Sequence, residues 1–282
     1  MRDNSKRHSA GADPAPEATD NDARPSLDFA TPTELVDLPS KGRFYSEAHP
    51  LHNQETIEIK YMTARDEDIL TSPSLLKKGI AIDRFLQNVI LNQGISVSSL
   101  LTGDKNAILV SSRINGFGSD YTTKVTCPNC ATVSENTFIL DEVQEYHGGD
   151  FEDYDILPTE EGTYIIKLPR TSFEVEVRLL TSKDENELAA KMQASKKNKG
   201  RMETNLTDQL KKVIVSVNGV DDLQSIHKVV NNLPAFDSRY LRAAYLKATP
   251  GLDMRQDFTC SSCGFEKEID IPLTVDFFWS KQ

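Results

Sequence analysis

Apolar residues recur along this chain with two periods, and the points where one gives way to the other mark its elements. Between Glu55 and Tyr61, Ile57 and Ile59 alternate with polar and charged neighbours, the pattern of a half-buried strand. Thr63 followed by Asp66 forms a capping box with Asp in place of Glu, which predicts a short helix through about Leu70. Ser72-Pro73 is a second helix start, with Ser at the N-cap and Pro at the first helical position, and Gly79 ends that helix. Ile82, Phe85, Leu86, Val89 and Ile90 then fall at helical spacing on one face. Another helix, Asp104 to about Ile114, turns Ile108 and Leu109 inward and is stopped by Gly116-Phe117-Gly118. The earlier run Leu35 to Tyr45 joins a few apolar residues to a Pro/Gly turn and two aromatics. It reads either as an arm that docks on another protein or as aromatics packed on this chain's own core.

Beyond residue 120 the period shortens to two. Tyr121 to Thr126 and Val133 to Leu140 read as strands around Cys127-Pro128-Asn129-Cys130. Tyr146 to Glu161 is acidic and glycine-containing and reads as a solvated connector, since it lacks the ligand spacing of a calcium loop. Tyr164 to Leu168 and Phe173 to Leu180 are predicted strands, the second with Phe173, Val175, Val177 and Leu179 on one face. Helical sequence follows from Thr181 or Ser182, then a basic polar run from Lys191 to Lys199. Asp208 to Val217 is apolar-faced and fits helix or strand, and Asn218-Gly219 is a turn. Asp221 to Leu233 reads as a helix. Asp237 stands as N-cap of Ser238 to Lys247, which presents Tyr240, Leu241, Ala244 and Tyr245 on one face before Thr249-Pro250-Gly251 ends it. Gln256 to Thr259, Cys260-Ser261-Ser262-Cys263-Gly264 and Phe265 to Ile271 repeat the strand, turn, strand frame, and an aromatic Phe277-Phe278-Trp279 closes the chain.

These patterns give an α+β protein divided into a disordered tail (1–30), a mixed N-terminal α/β region (31–120), the first half of a zinc-ribbon-like fold (121–145), an acidic connector and β hairpin (146–180), a helical insert (181–252), and the second ribbon half with the aromatic C-terminus (253–282). Composition refines this. The 282 residues are 38% hydrophobic and 27% charged, and no run approaches the roughly 18 apolar residues of a membrane span. Met1 to Asp28 holds almost no large apolar side chains, so it lacks both a secretory core and the burial needed to offset ordering entropy. Synthesis in a reducing cytoplasm is expected. A net charge of −11 opposes general attraction to a phosphate backbone, leaving Lys191 to Lys212 as the one basic stretch.

All four cysteines lie in the two C-x-x-C knuckles. Four thiolates from two such turns complete a closed tetrahedral zinc site, so Cys127, Cys130, Cys260 and Cys263 are expected to hold one structural zinc ion per chain. Two other readings stay open. A redox dithiol would benefit from a helix start, whereas both knuckles precede strand-like sequence, and the two pairs could act independently or without metal. A catalytic zinc would instead keep an open position and recruit His, Asp or Glu. The five histidines, His8, His49, His52, His147 and His227, form no paired motif and read as solvated or locally hydrogen-bonded. With no nucleophile elbow, phosphate-binding loop or dinucleotide fingerprint present, the chain is not expected to be an enzyme.

Leu38-Pro39-Ser40-Lys41-Gly42-Arg43-Phe44-Tyr45 and Tyr61-Met62-Thr63-Ala64-Arg65-Asp66-Glu67-Asp68-Ile69-Leu70, followed in order by the two knuckles, resemble the T-even-type bacteriophage baseplate hub protein family from about Thr33 to the C-terminus. The resemblance implies a protein of a contractile-tailed phage, made in the host cytoplasm and involved in building the baseplate hub in the virion tail. Its partners would be other tail and hub proteins, with the tape-measure protein among them, and it carries over no catalytic residue. Three alternatives stand beside this: a transient assembly chaperone absent from the virion, a zinc-ribbon nucleic-acid-binding regulator, and a thiol oxidoreductase.

Overall fold

The computed structural model describes residues 30–149, 151–197, 205–271 and 275–278. The tail Met1 to Asp28, Asp150, the end of the basic run beyond Lys197 and Trp279 lie outside them. The run from Leu35 supplies a strand that periodicity alone did not reveal: β1 (Thr33–Asp37) pairs antiparallel with β2 (Thr56–Lys60), Val36 opposite Ile57. Val36, Leu38 and Tyr45 turn into the core while Leu35 faces outward, 68% exposed, so the aromatics of this run serve the chain's own packing. Helices α1 (Ala64–Thr71), α2 (Pro73–Lys78) and α3 (Ala81–Val89) follow at the predicted places, with Gly79 left-handed at the end of α2. Ile82 departs from the expected inward face, and Ile90 lies past the helix end, bridged to Ile59.

Helix α4 (Thr102–Phe117) starts two residues before its predicted origin. Gly103 in its first turn allows a close approach: a Cβ there would lie 2.2 Å from the Pro250 carbonyl oxygen. Two strands join the predicted ribbon hairpin β3 (Asp120–Thr126) and β4 (Val133–Ile139) to the rest of the chain. β5 (Gln144–Tyr146) lies at the head of the expected connector and β6 (Ile156–Pro158) within it. β7 (Thr163–Lys167) and β8 (Glu174–Arg178) are the predicted hairpin, and α5 (Ser182–Lys197) the predicted helix.

The ambiguous stretch before Asn218 is both helix and strand: α6 (Asn205–Val213) runs straight into β9 (Ile214–Val217). β9 completes an antiparallel sheet ordered β6-β7-β8-β9, so the helical insert is less purely helical than its sequence suggests. After α7 (Leu223–Asn232) and α8 (Ala235–Ala248), β10 (Gly251–Asp253) pairs with β5, Gly251 opposite Tyr146. The chain then enters the second hairpin, β11 (Arg255–Thr259) and β12 (Glu266–Asp270), and ends in a 3-10 turn, Val275–Phe278. The described residues thus form an α+β fold of eight α-helices and twelve strands in small antiparallel sheets. One cluster of buried apolar side chains runs through it from Val36 to Phe278.

Among the described residues, the buried carboxylates follow one rule. All four, Asp66, Asp104, Asp184 and Asp237, occupy the third position of a helix, in α1, α4, α5 and α8. There the positive end of the helix dipole and nearby unpaired N–H groups compensate a negative charge. Asp66 closes the predicted capping box, accepting from the Thr63 amide at 2.9 Å and the Thr63 hydroxyl at 2.6 Å. Asp184 does the same with Thr181 at 3.1 and 2.9 Å, and also takes both prongs of Arg178 at 2.7 and 3.0 Å. The other two reach across the fold. Asp104 accepts from the Ser40 amide and hydroxyl and from Tyr45, pinning the 38–45 segment onto α4. Asp237 is not the N-cap its position suggested, because α8 begins at Ala235 with Pro234 in the capping place. It instead binds the Arg170 and Thr171 amides at 3.0 and 2.9 Å, holding the turn between β7 and β8.

Burial alone would raise all four carboxyls. Hydrogen bonds reverse this for Asp66, Asp184 and Asp237, which fall below the ordinary carboxylate value, whereas at Asp104 burial prevails and the carboxyl is raised. Asp184 therefore contributes stability that is fully present above the unfolded value of about 3.9 and is lost as pH falls through its depressed folded value. Asp184→Asn is expected to destabilise the chain by about 2–3 kcal/mol at neutral pH. That gap to wild type should narrow below about pH 4. Urea titrations of both proteins at neutral and acid pH check this, and a pH-independent gap would refute a role for the charge.

Candidate metal centre

Each ribbon hairpin closes on a knuckle of the same design. The last strand pairs are Thr126 with Val133 in the first and Thr259 with Glu266 in the second. In the first knuckle the Cys127 amide donates to the Thr132 carbonyl and the Ala131 amide to the Cys127 carbonyl, both at 2.9 Å. In the second, the Cys260 amide donates to the Phe265 carbonyl at 2.8 Å and the Gly264 amide to the Cys260 carbonyl at 2.9 Å. Both turns need a left-handed residue after the second cysteine, with φ of 56° at Ala131 and 66° at Gly264. The first knuckle meets this need with a residue that carries a Cβ. Ala131→Gly is therefore expected to stabilise the chain by about 0.5–1 kcal/mol, and Gly264→Ala to destabilise it by a similar amount. Thermal unfolding of the two variants should show shifts of opposite sign.

The four sulfurs, from residues as much as 136 apart in sequence, all lie within 4.8 Å of one another. Across the two knuckles, Cys127 Sγ is 3.8 Å from Cys263 Sγ and Cys130 Sγ is 3.7 Å from Cys260 Sγ. A disulfide requires about 2.05 Å. By contrast, four sulfurs about 2.3 Å from a central zinc stand about 3.8 Å apart, so the spacing suits a tetrahedral metal ion. Cys127 and Cys260 are buried, whereas Cys130 and Cys263 are exposed. The thiols do not share one acidity. The Thr132 hydroxyl and amide push Cys130 down to about 6, and the Cys263 and Ser262 amides lower Cys260. Cys263 is pushed up to about 11, because desolvation together with crowding by Cys130 and Cys260 outweighs the pull of the Phe265 amide and Asn129. Four crowded sulfurs oppose each other's ionisation, and a divalent cation removes that opposition.

A second contact holds the hairpins together away from the sulfurs. The Gln256 side-chain amide pairs with the backbone of Ile139 as a strand would, accepting from its N–H at 3.0 Å and donating to its carbonyl at 2.6 Å. Sequence reasoning singled out the four cysteines that converge here but missed Gln256, Asn129 and Thr132. Their only sequence signal was a position inside or beside the knuckle frame. The described histidines stay apart from the cluster: His49 bonds Ser99, His52 the Tyr45 carbonyl and His147 the Pro39 carbonyl, while His227 is exposed.

A family model for T4 bacteriophage base plate protein matches residues 32–279. The chain belongs to that family. The match spans both hairpins and everything between them, which supports a structural role in a phage tail and hence contacts with other tail proteins. None of the curated proteins and none of the solved structures compared with this base plate family member matches it. Among its described residues no helix is long and apolar enough to cross a membrane.

Proposed function

We propose that this chain is a non-enzymatic component of the base plate hub, acting through contacts with other hub and tail proteins, the tape-measure protein among them. One structural zinc ion, bound by Cys127, Cys130, Cys260 and Cys263, holds its framework together. The observation that carries this reading is the convergence of four sulfurs from two distant hairpins within 4.8 Å, in a chain of a base plate family. A closed set of four sulfur ligands leaves no coordination position for a substrate, so the metal acts as a fastener. The protein is made in the host cytoplasm and assembles there into the tail.

One support for this reading, and one for the nucleic-acid alternative, change once the fold is known. Tyr45, Phe277 and Phe278 do not supply partner anchors, since they are buried in the chain's own core. At the end of the basic stretch, Lys212 is not free for a phosphate backbone, because it pairs with Asp184 at 3.3 Å and with Glu187 at 2.5 Å. Elemental analysis of the purified chain should find one zinc per polypeptide, and affinity capture with co-expressed tail proteins should recover a hub component. Mass spectrometry of finished virions then separates a resident subunit from an assembly chaperone, which would be absent. Failure to associate with any tail protein would overturn the proposal.

A further inference from the structure

The four sulfurs are protected in two different ways. Cys127 and Cys260 are shielded by burial, each 1% exposed. Cys130 and Cys263 face solvent, where a chelator, a proton or an electrophile meets them first. Each of these exposed sulfurs has a side-chain partner from the first knuckle. The Asn129 side-chain amide reaches across to Cys263 Sγ at 3.7 Å, and the Thr132 hydroxyl lies 3.3 Å from Cys130 Sγ. A metal-bound cysteine is a thiolate with no proton to give, so the hydroxyl of Thr132 must be the donor when the site is loaded. An amide nitrogen can only donate, so Asn129 also suits the charged sulfur.

We infer that Asn129 and Thr132 are positioning residues that lock the two solvent-facing thiolates onto the metal, so that the ion is retained where the clasp is most open to attack. The inference rests on the zinc reading above and assigns it a mechanism of retention. Donors to a ligating sulfur spread its negative charge and fix its direction, and losing such partners typically weakens a metal site by about 10–100-fold. The second knuckle has Ser262 and Phe265 at the equivalent places, and Phe265 has no side-chain donor, so the first knuckle guards both exposed sulfurs. Asn129 also crosses the seam between the hairpins, which makes its loss a change at Cys263, a residue 134 positions away.

The test uses the full zinc-loaded chain and a chromogenic chelator, with zinc transfer as the readout. Asn129→Ala and Thr132→Val should each release zinc about 10-fold faster or more, and Thr132→Ser should restore retention. Mapping alkylation by N-ethylmaleimide gives a second measurement that general loosening of the fold would not reproduce. Labelling should rise at Cys263 in Asn129→Ala and at Cys130 in Thr132→Val, with Cys127 and Cys260 still protected. Release rates within twofold of wild type, or labelling that rises equally at all four cysteines, would overturn this inference alone. A wild-type chain that holds no metal would overturn the zinc reading and this inference with it.

Discussion

Cys127→Ser is expected to lower the melting temperature by about 10–15 °C, and Cys260→Ser by the same amount, with zinc lost from both proteins. The two residues are equivalent by position: each is the first cysteine of its knuckle, each is 1% exposed, and each amide is held by the carbonyl five residues on. A shared ion closes a loop of 130 residues between Cys130 and Cys260. By the entropy argument for cross-links, a loop of that length stabilises by about 5 kcal/mol, which for a chain of this size corresponds to roughly 2–4 °C of melting temperature per kcal/mol. The double substitution is the sharper experiment. Once one ligand is gone and the ion released, removing another costs little more, so the double variant should melt close to either single one. Additive losses would mean two independent sites, and a loss from only one substitution would mean that the knuckles do not share an ion.

The clasp is one of several ties between chain segments far apart in sequence. β10 pairs with β5 and its Gly251 meets Gly103 of α4, Gln256 stitches β11 to β4, and the terminal turn inserts Phe277 and Phe278 beside Tyr121 and Phe85. The proposed metal would therefore fasten hairpins that the fold already brings near each other. Its loss should loosen the ribbon without unfolding the four-stranded sheet. In the proposed role through surface contacts, this arrangement would keep the ribbon in a fixed orientation on the body.

Local chemistry made much of this visible in advance. The knuckles, the capping box at Thr63, the helix stop at Gly79 and the alternation from Val175 to Leu179 are signals carried within a few residues, and each stands where it was expected. What stayed hidden depends on a partner distant in sequence. β1 carries only Leu35 and Val36 as large apolar residues and becomes a strand because β2 is there to pair with it. β9 is a strand because β8 offers an edge, although its sequence continues the apolar face of α6. Asp237 looked like the cap of its own helix, and only the fold shows that the amides it satisfies belong to the turn at Arg170 and Thr171. For the same reason the four converging cysteines were legible and their hydrogen-bonding partners were not. A C-x-x-C turn specifies its own geometry, whereas the reach of Asn129 to Cys263 exists only after two hairpins have met.

Arg113 poses the same problem inside the core, and its replacement should have a large effect. It is 1% exposed on α4, and its guanidinium donates to three backbone carbonyls: Phe277 at 3.0 Å, Gly118 at 2.8 Å and Asp120 at 3.1 Å. Those carbonyls belong to the terminal turn, the end of α4 and the start of β3, so one side chain joins three segments. Its cation also lies 5.1 Å from the centre of the Phe117 ring, and burial draws its pKa below the ordinary value. Arg113→Met keeps much of the volume but leaves the buried Phe277 carbonyl and two part-buried ones without this donor, and a loss of about 3–5 kcal/mol is expected. Arg113→Lys should recover only part of it, because an ammonium is a point charge and cannot span the three acceptors as a planar fork does. Phe278→Ala, which removes a ring packed 5.2 Å from Phe85, should cost about 3–4 kcal/mol. If Arg113 acts by holding the terminal turn in place, the losses in Arg113→Met and Phe278→Ala will fall short of additive by at least about 1 kcal/mol. Fully additive urea-unfolding energies would mean that Arg113 stabilises α4 and β3 alone, and that the aromatic turn holds itself in the core.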